Sequence, residues 1–199
     1  AHSLQKFSKK NYWSIINFFG EFNIYQKELE QNQIKTINFF GKYLINLFPK
    51  YGKFKSRLSF ILIFILSFIP LKNLIKREKP DFLIVQLITS LPMILLIFFK
   101  FKTKFILRIS GLPKLNFFRK ILWKITLKKF YLVTCPTEST YNYVKSLNIV
   151  ETKKIKILYD PVIEVLKIKK KINEKNDFKF KNYFLAAGRL TKQKNFIFL

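Results

Sequence analysis

A chain of 199 residues, 49% of them hydrophobic, can bury a substantial core, so the default class is globular, with one domain or one domain and part of another. Its single cysteine, Cys135, excludes an intrachain disulfide framework, and with His2 as the only histidine there is no Cys/His cluster for zinc; a reducing compartment fits best. The formal charge of +27 comes from 38 Lys+Arg against 11 Asp+Glu.

Only Arg57, Arg77, Arg108, Arg119 and Arg189 among those cations are arginines. Planar, bidentate recognition of phosphates or bases favours Arg. A chain rich in Lys, Ile, Phe and Asn together instead reads as the product of A/T-heavy codons. The field still draws nucleic acid, anionic lipid or phosphorylated ligands to the surface without singling out one of them. Residues 1–10 hold neither an initiator Met nor the apolar core of a signal peptide, and Asn195 to Leu199 stops inside an apolar run without a cap. Both ends read as cut, so a piece of a longer chain is expected.

From Trp13 onward, short β-rich runs alternate with helix-length segments, and no internal repeat or low-complexity tract is read into the pattern. That is the βαβα signature of an α/β fold with a parallel sheet. Strands are predicted near Tyr12–Phe18, Ile34–Phe39, Phe82–Leu87, Phe105–Ile109, Tyr131–Thr134 and Ile155–Leu158, short and apolar as buried parallel strands are. Helices are predicted near Ile24–Glu30, Arg57–Lys79, Pro92–Lys100, Leu115–Lys129 and Glu138–Leu147, with Pro70 kinking or dividing the second.

Two apolar runs raise the question of a membrane. Leu58 to Pro70 is 13 residues, about 20 Å as a helix and short of the ~30 Å hydrocarbon core. Phe82 to Phe99 is 18 residues but is interrupted by Gln86, Thr89, Ser90 and Pro92. A strand, a turn capped by Thr89-Ser90 and a helix with Pro92 in its first turn account for it better. A soluble or peripheral protein is therefore expected over a spanning one, and monotopic attachment stays compatible with the sequence. Further on, Thr137 reads as a helix N-cap, with Glu138 meeting the dipole. Cys135 reads as a small buried apolar side chain rather than a nucleophile.

After Asp160-Pro161 the stretch Lys167 to Asn182 is almost wholly charged or polar, a linker or solvated excursion. Asn182 to Gly188 then forms a new apolar strand that ends in glycine, followed by Arg189 and Lys194 around a short turn and a helix starting near Gln193. Such a junction turns backbone N–H groups and two cations toward an anion. Glycine allows close approach, Arg189 can contact phosphate oxygens in pairs, and Lys194 adds a mobile point charge.

Tyr183 through Gly188, Arg189, Leu190, Lys194 and Asn195 resembles the strand and turn that open the donor-binding domain of family 4 glycosyltransferases, two-domain enzymes of the GT-B type. The upstream order is similar too: Lys79-Pro80-Asp81 before a strand, Arg108 to Pro113 after one, Val133 to Thr137 before a helix, and Ile157 to Val162 before the linker. The resemblance covers Lys79 to the C-terminus, and residues 11–78 only by their βα rhythm. Asn195 stands where many members have glycine.

The resemblance implies a Rossmann-like, acceptor-side domain over 1–162 lacking its first strand, a linker over 163–182, and the start of a nucleotide-sugar-binding domain over 183–199. It implies that Gly188, Arg189 and Lys194 meet the donor diphosphate. Arg108, Ser110 and Gly111 stand where relatives carry a polar group facing the sugar, either lining the cleft or forming a plain turn. It further implies a retaining hexosyl transfer from a nucleotide-diphosphate sugar to an acceptor hydroxyl, without metal or other cofactor, in polysaccharide, lipopolysaccharide or glycolipid synthesis.

The catalytic residues are not assigned. The glycine-rich loop and the paired glutamates of the family would fall outside the chain, so the 199 residues alone are expected to be inactive. A glycan or lipid-linked acceptor and an anionic membrane surface are the expected partners, with a cytoplasmic location, peripheral to the inner face of the plasma membrane. The alternative is a basic membrane-associated or nucleic-acid-binding protein without enzymatic activity. Specific nucleic-acid recognition is not expected, because the lysines are dispersed and no binding motif accompanies them.

Overall fold

The structure, a computed structural model, describes residues 11–18, 20, 22–41, 53–86, 88–113, 115–160, 165–172 and 188. Six short runs form the strands: β1 (Ser14–Asn17), β2 (Lys35–Asn38), β3 (Phe82–Val85), β4 (Lys104–Arg108), β5 (Leu132–Cys135) and β6 (Ile155–Ile157). All are parallel. β1 and β2 make a two-stranded sheet, and β3-β4-β5-β6 make a four-stranded sheet in chain order. Parallel strands need crossovers, and helices supply them: α1 (Gln26–Gln31), α2 (Lys53–Glu78), α3 (Ser90–Phe98), α4 (Phe117–Leu127) and α5 (Glu138–Ser146). This is a Rossmann-like α/β arrangement, as the alternating sequence pattern predicts.

The chain divides into two compact units, Ala1–Tyr159 and Asp160–Leu199. In the first, Phe105, Leu107, Val133 and Cys135 of the sheet meet Leu71 and Ile75 of α2, Leu91, Met93 and Leu95 of α3, Trp123 and Leu127 of α4, and Val144 of α5 in one apolar core. Aromatic rings extend it in a chain: Phe68 to Phe99 at 6.2 Å, Phe99 to Phe101 at 6.3 Å, Phe101 to Phe105 at 5.7 Å and Phe105 to Phe130 at 6.0 Å between centroids. Contacts of this kind add to the area each ring buries.

Several lysines have structural work. The Lys129 ammonium donates to the carbonyls of Leu96 at 2.6 Å and Ile97 at 3.4 Å, at the end of α3. Lys154 does the same for Lys128 at 2.6 Å, just past α4. Helix C-termini carry orphan carbonyls and negative dipole ends, so cations settle there. Lys72 and Lys76 lie over the Phe99 ring at 5.3 and 5.4 Å, a cation–π arrangement.

Three expectations are corrected. Pro70 does not divide α2, which runs from Lys53 to Glu78 as one helix. The missing N–H leaves the Leu66 carbonyl without its usual helical donor, at a residue that is exposed to solvent. Helix α2 stops at Lys79, whose N–H still donates to the Ile75 carbonyl at 3.0 Å and whose positive φ of 45° then turns the chain out of the helix before Pro80. Second, Thr89 occupies the N-cap position of α3 but in a helical conformation, and its side chain makes no cap bond. By contrast Thr137 caps α5, its Oγ1 accepting from the Thr140 N–H at 3.1 Å.

Third, there is a short internal repeat. Ile-Asn-Phe-Phe-Gly occurs at Ile16–Gly20 and again at Ile37–Gly41. The two copies lie side by side, Ile16 opposite Ile37 and Asn17 opposite Asn38, with the Phe18 and Phe39 rings edge to face at 5.3 Å. Gly20 takes a φ of 74°, which glycine adopts without strain as the chain leaves the strand.

In the second unit, Val165–Ile172 forms α6 inside the stretch that composition reads as linker. Val165, Ile168 and Ile172 recur at helical spacing, enough to set a helix among lysines. Its residues from Ile168 to Ile172 are exposed.

Candidate functional site

Open parallel α/β sheets bind ligands beyond the carboxyl ends of their strands. At that end of β4, Arg108 is half-buried and in register with Thr134 of β5. The Ile109 N–H donates to the Thr134 carbonyl at 2.9 Å, and the Leu158 N–H donates to the Cys135 carbonyl at 2.8 Å. The strand ends are thereby tied to one another. Ser110 and Gly111 follow on the surface.

The Tyr143 hydroxyl of α5 donates to the Pro113 carbonyl at 3.3 Å and pins this loop. A Cβ built on Gly111 meets nothing within 4 Å, so no close packing demands a glycine there. Arg108, Ser110 and Gly111 are thus gathered at one strand end, beside the capped start of α5. Gly188 is an exposed bend in the second unit. Arg189 and Lys194, with the strand and turn around them, lie outside the described residues.

Cys135 is fully buried at the end of β5, and burial pushes its thiol up to about 11. A thiol that stays protonated and covered is not a nucleophile, in line with the sequence reading. No group of three or more His, Cys, Asp or Glu side chains able to hold a metal occurs among the described residues. A cavity of about 320 Å³ lined by Lys79, Pro80, Asp81, Phe82, Lys102 and Lys104 lies at the amino ends of β3 and β4. Those strand ends are opposite to the ones where this class of sheet binds ligands.

Sequence reasoning missed a polar cluster at the carboxyl ends of β1 and β2. Asn17 is buried, with 1% of its surface exposed. Its Nδ2 donates to Asn23 Oδ1 at 3.0 Å and to Asn38 Oδ1 at 2.9 Å, while its own Oδ1 is buried without a partner. An amide acceptor held in this way is costly unless something donates to it. The signal was present in the twin Ile-Asn-Phe-Phe-Gly segments, each placing an asparagine where a strand ends.

No protein-family model matches the sequence, and no curated protein is similar to it. Among solved structures, the chain is similar to a glycosyltransferase from Rickettsia africae ESF-5, at 14% identity and a TM-score of 0.45. The match covers 80% of this chain and 48% of that one, so the chain spans about half the length of that protein. A likeness this distant says nothing of activity. The α/β assignment stands on the parallel ladders themselves.

Proposed function

We propose that the chain is part of a nucleotide-sugar-dependent glycosyltransferase of the GT-B type, similar to family 4. In this reading residues 1–162 are the acceptor-side domain, 163–182 the connection, and 183–199 the opening of the donor domain. The observation that carries it is the order of sequence landmarks along one parallel sheet. Lys79-Pro80-Asp81 leads directly into β3, Arg108 to Pro113 leaves β4, Val133 to Thr137 links β5 to α5, and Ile157 to Val162 starts within β6. A single such motif is common; four in sequence on consecutive strands are not.

Arg189 and Lys194 would neutralise the donor diphosphate as negative charge builds on it during departure, an electrostatic stabilisation of the transition state that calls for no metal. Gly188 lets the backbone come close to the phosphates. Arg108 and Ser110, at the carboxyl end of β4, would face the sugar or the acceptor. The sugar moves to an acceptor hydroxyl, on a glycan or a lipid-linked glycan, with retention of anomeric configuration.

The test is calorimetric titration of nucleoside diphosphates into the protein that carries this chain, with Arg189→Ala as the variant. Loss of a paired, charge-assisted contact is expected to weaken binding by about 1.5–3 kcal/mol, roughly tenfold or more. Unchanged affinity would remove Arg189 from the donor site and with it the main functional inference.

A further inference from the structure

Helix α2 buries Ile63, Leu71, Leu74 and Ile75, yet it also carries a second apolar face that no core contact explains. Leu58, Ile61, Ile65, Leu66 and Ile69 point outward and are between 42% and 61% exposed. They recur at spacings of three and four, so they form one stripe along the helix, about 16 Å long at 1.5 Å per residue. Ser67 lies instead on the covered face beside Ile63 and Leu71, its Oγ buried without a partner. A hydroxyl is thus inside with Ile63 and Leu71, while five aliphatics stay outside.

Charge selects the partner. The sequence of α2 holds six cations against one acid, Glu78, which pairs with Arg77 at 3.0 Å. Of these, Lys76 and Arg77 are exposed one to two turns beyond the stripe, and the half-buried Lys72 reaches out over Phe99. Apolar side chains flanked by lysines on an otherwise cationic protein match the two layers of an anionic bilayer, acyl chains below and phosphates above. No described helix is long and apolar enough to cross a membrane, which leaves in-plane seating for a stripe of this length.

We propose that the outward face of α2, Leu58 to Ile69, is a membrane-attachment surface that inserts its aliphatic side chains among the acyl chains of an anionic leaflet, with Lys72, Lys76 and Arg77 on the phosphates. This goes beyond the glycosyltransferase reading and does not depend on it.

The test is sedimentation of the full chain with vesicles of phosphatidylcholine, with and without phosphatidylglycerol. The expected result is binding to the anionic vesicles that high salt weakens but does not abolish, because salt screens the lysines and not the aliphatic stripe. The triple substitution Ile61→Gln, Ile65→Gln and Ile69→Gln keeps helix propensity and is expected to lower the vesicle partition coefficient about a hundredfold with unchanged far-UV circular dichroism. Binding equal to that of the unsubstituted chain would overturn the proposal. So would a dimer in the absence of lipid that the same triple substitution dissociates, since the stripe would then belong to a second copy.

Should the triple variant not fold, Ile65→Cys carrying an environment-sensitive maleimide dye answers the question alone. Cys135 is buried and leaves the new thiol as the reactive one. A blue shift on adding anionic vesicles supports insertion, and an unshifted spectrum refutes it. No nucleotide enters these assays, so their outcome is separate from that of the Arg189 titration.

Discussion

Replacing Asn17 by leucine should leave the fold nearly as stable as it was, although the asparagine is buried and makes two hydrogen bonds. Asn17→Leu removes the Nδ2 donations to Asn23 and Asn38, each a neutral bond worth about 1 kcal/mol net. The acceptors released are on a half-buried and an exposed side chain, so both can turn to water. The same change abolishes the orphaned Oδ1, whose burial costs about 1–3 kcal/mol. Losses and gains are of equal size, and a shift within about 1 kcal/mol of the unsubstituted chain is expected.

Asn17→Asp is the opposite case, because a carboxylate only accepts and would face two further oxygens. An unpaired buried charge of this kind costs about 3–5 kcal/mol at neutral pH. Burial raises the folded pKa of that carboxyl above its unfolded value, so the penalty is small below the unfolded pKa and complete above the folded one. Urea unfolding followed by circular dichroism, at neutral and mildly acidic pH, measures both variants. A leucine variant weaker by more than about 3 kcal/mol, or an aspartate variant unharmed at neutral pH, would refute the reasoning.

Thr137→Ala removes the acceptor for the Thr140 N–H and should cost about 1 kcal/mol in thermal unfolding, whereas Thr137→Ser keeps the oxygen and should stay within a few tenths. Equal losses in the two variants would show that the methyl group, not the cap, matters. Cys135 should resist thiol reagents at mildly alkaline pH in the folded chain and react on unfolding. Its folded pKa of about 11 exceeds the ordinary value of 9.0, so the unfolded thiol ionises first and stability falls as pH rises between the two. Fast modification of the native chain would contradict the buried placement.

The strand positions were legible because parallel strands are short apolar runs bounded by breakers, and Lys79-Pro80, Gly111 to Pro113 and Pro136-Thr137 mark those bounds; their division into two sheets was not. Thr137 and Thr89 show the limit. Both are threonines just ahead of a helix, yet only Thr137 has the extended backbone that turns Oγ1 toward the first N–H groups. Capping depends on a dihedral that residue identity does not report. The same holds for the twin Ile-Asn-Phe-Phe-Gly segments. In a chain with 24 phenylalanines, a five-residue recurrence has little weight until register sets Asn17 beside Asn38 and orphans an oxygen between them.

Helix α2 was legible as a helix, but which of its faces is buried was not, for a reason that bears on where the protein works. Periodicity identifies the buried face of a helix by contrast with a polar one. Between Leu58 and Pro70 the only polar residues are Ser59 and Ser67, so both faces are apolar and the pattern carries no direction. A length of 13 residues excludes a span but fits a core helix and an interfacial one equally well. What separates them is the position of one hydroxyl. With Ser67 covered and Ile61, Ile65 and Ile69 in solvent, water becomes the poorer medium for the outer face of α2. The loss of vesicle binding in the triple glutamine variant measures that difference directly.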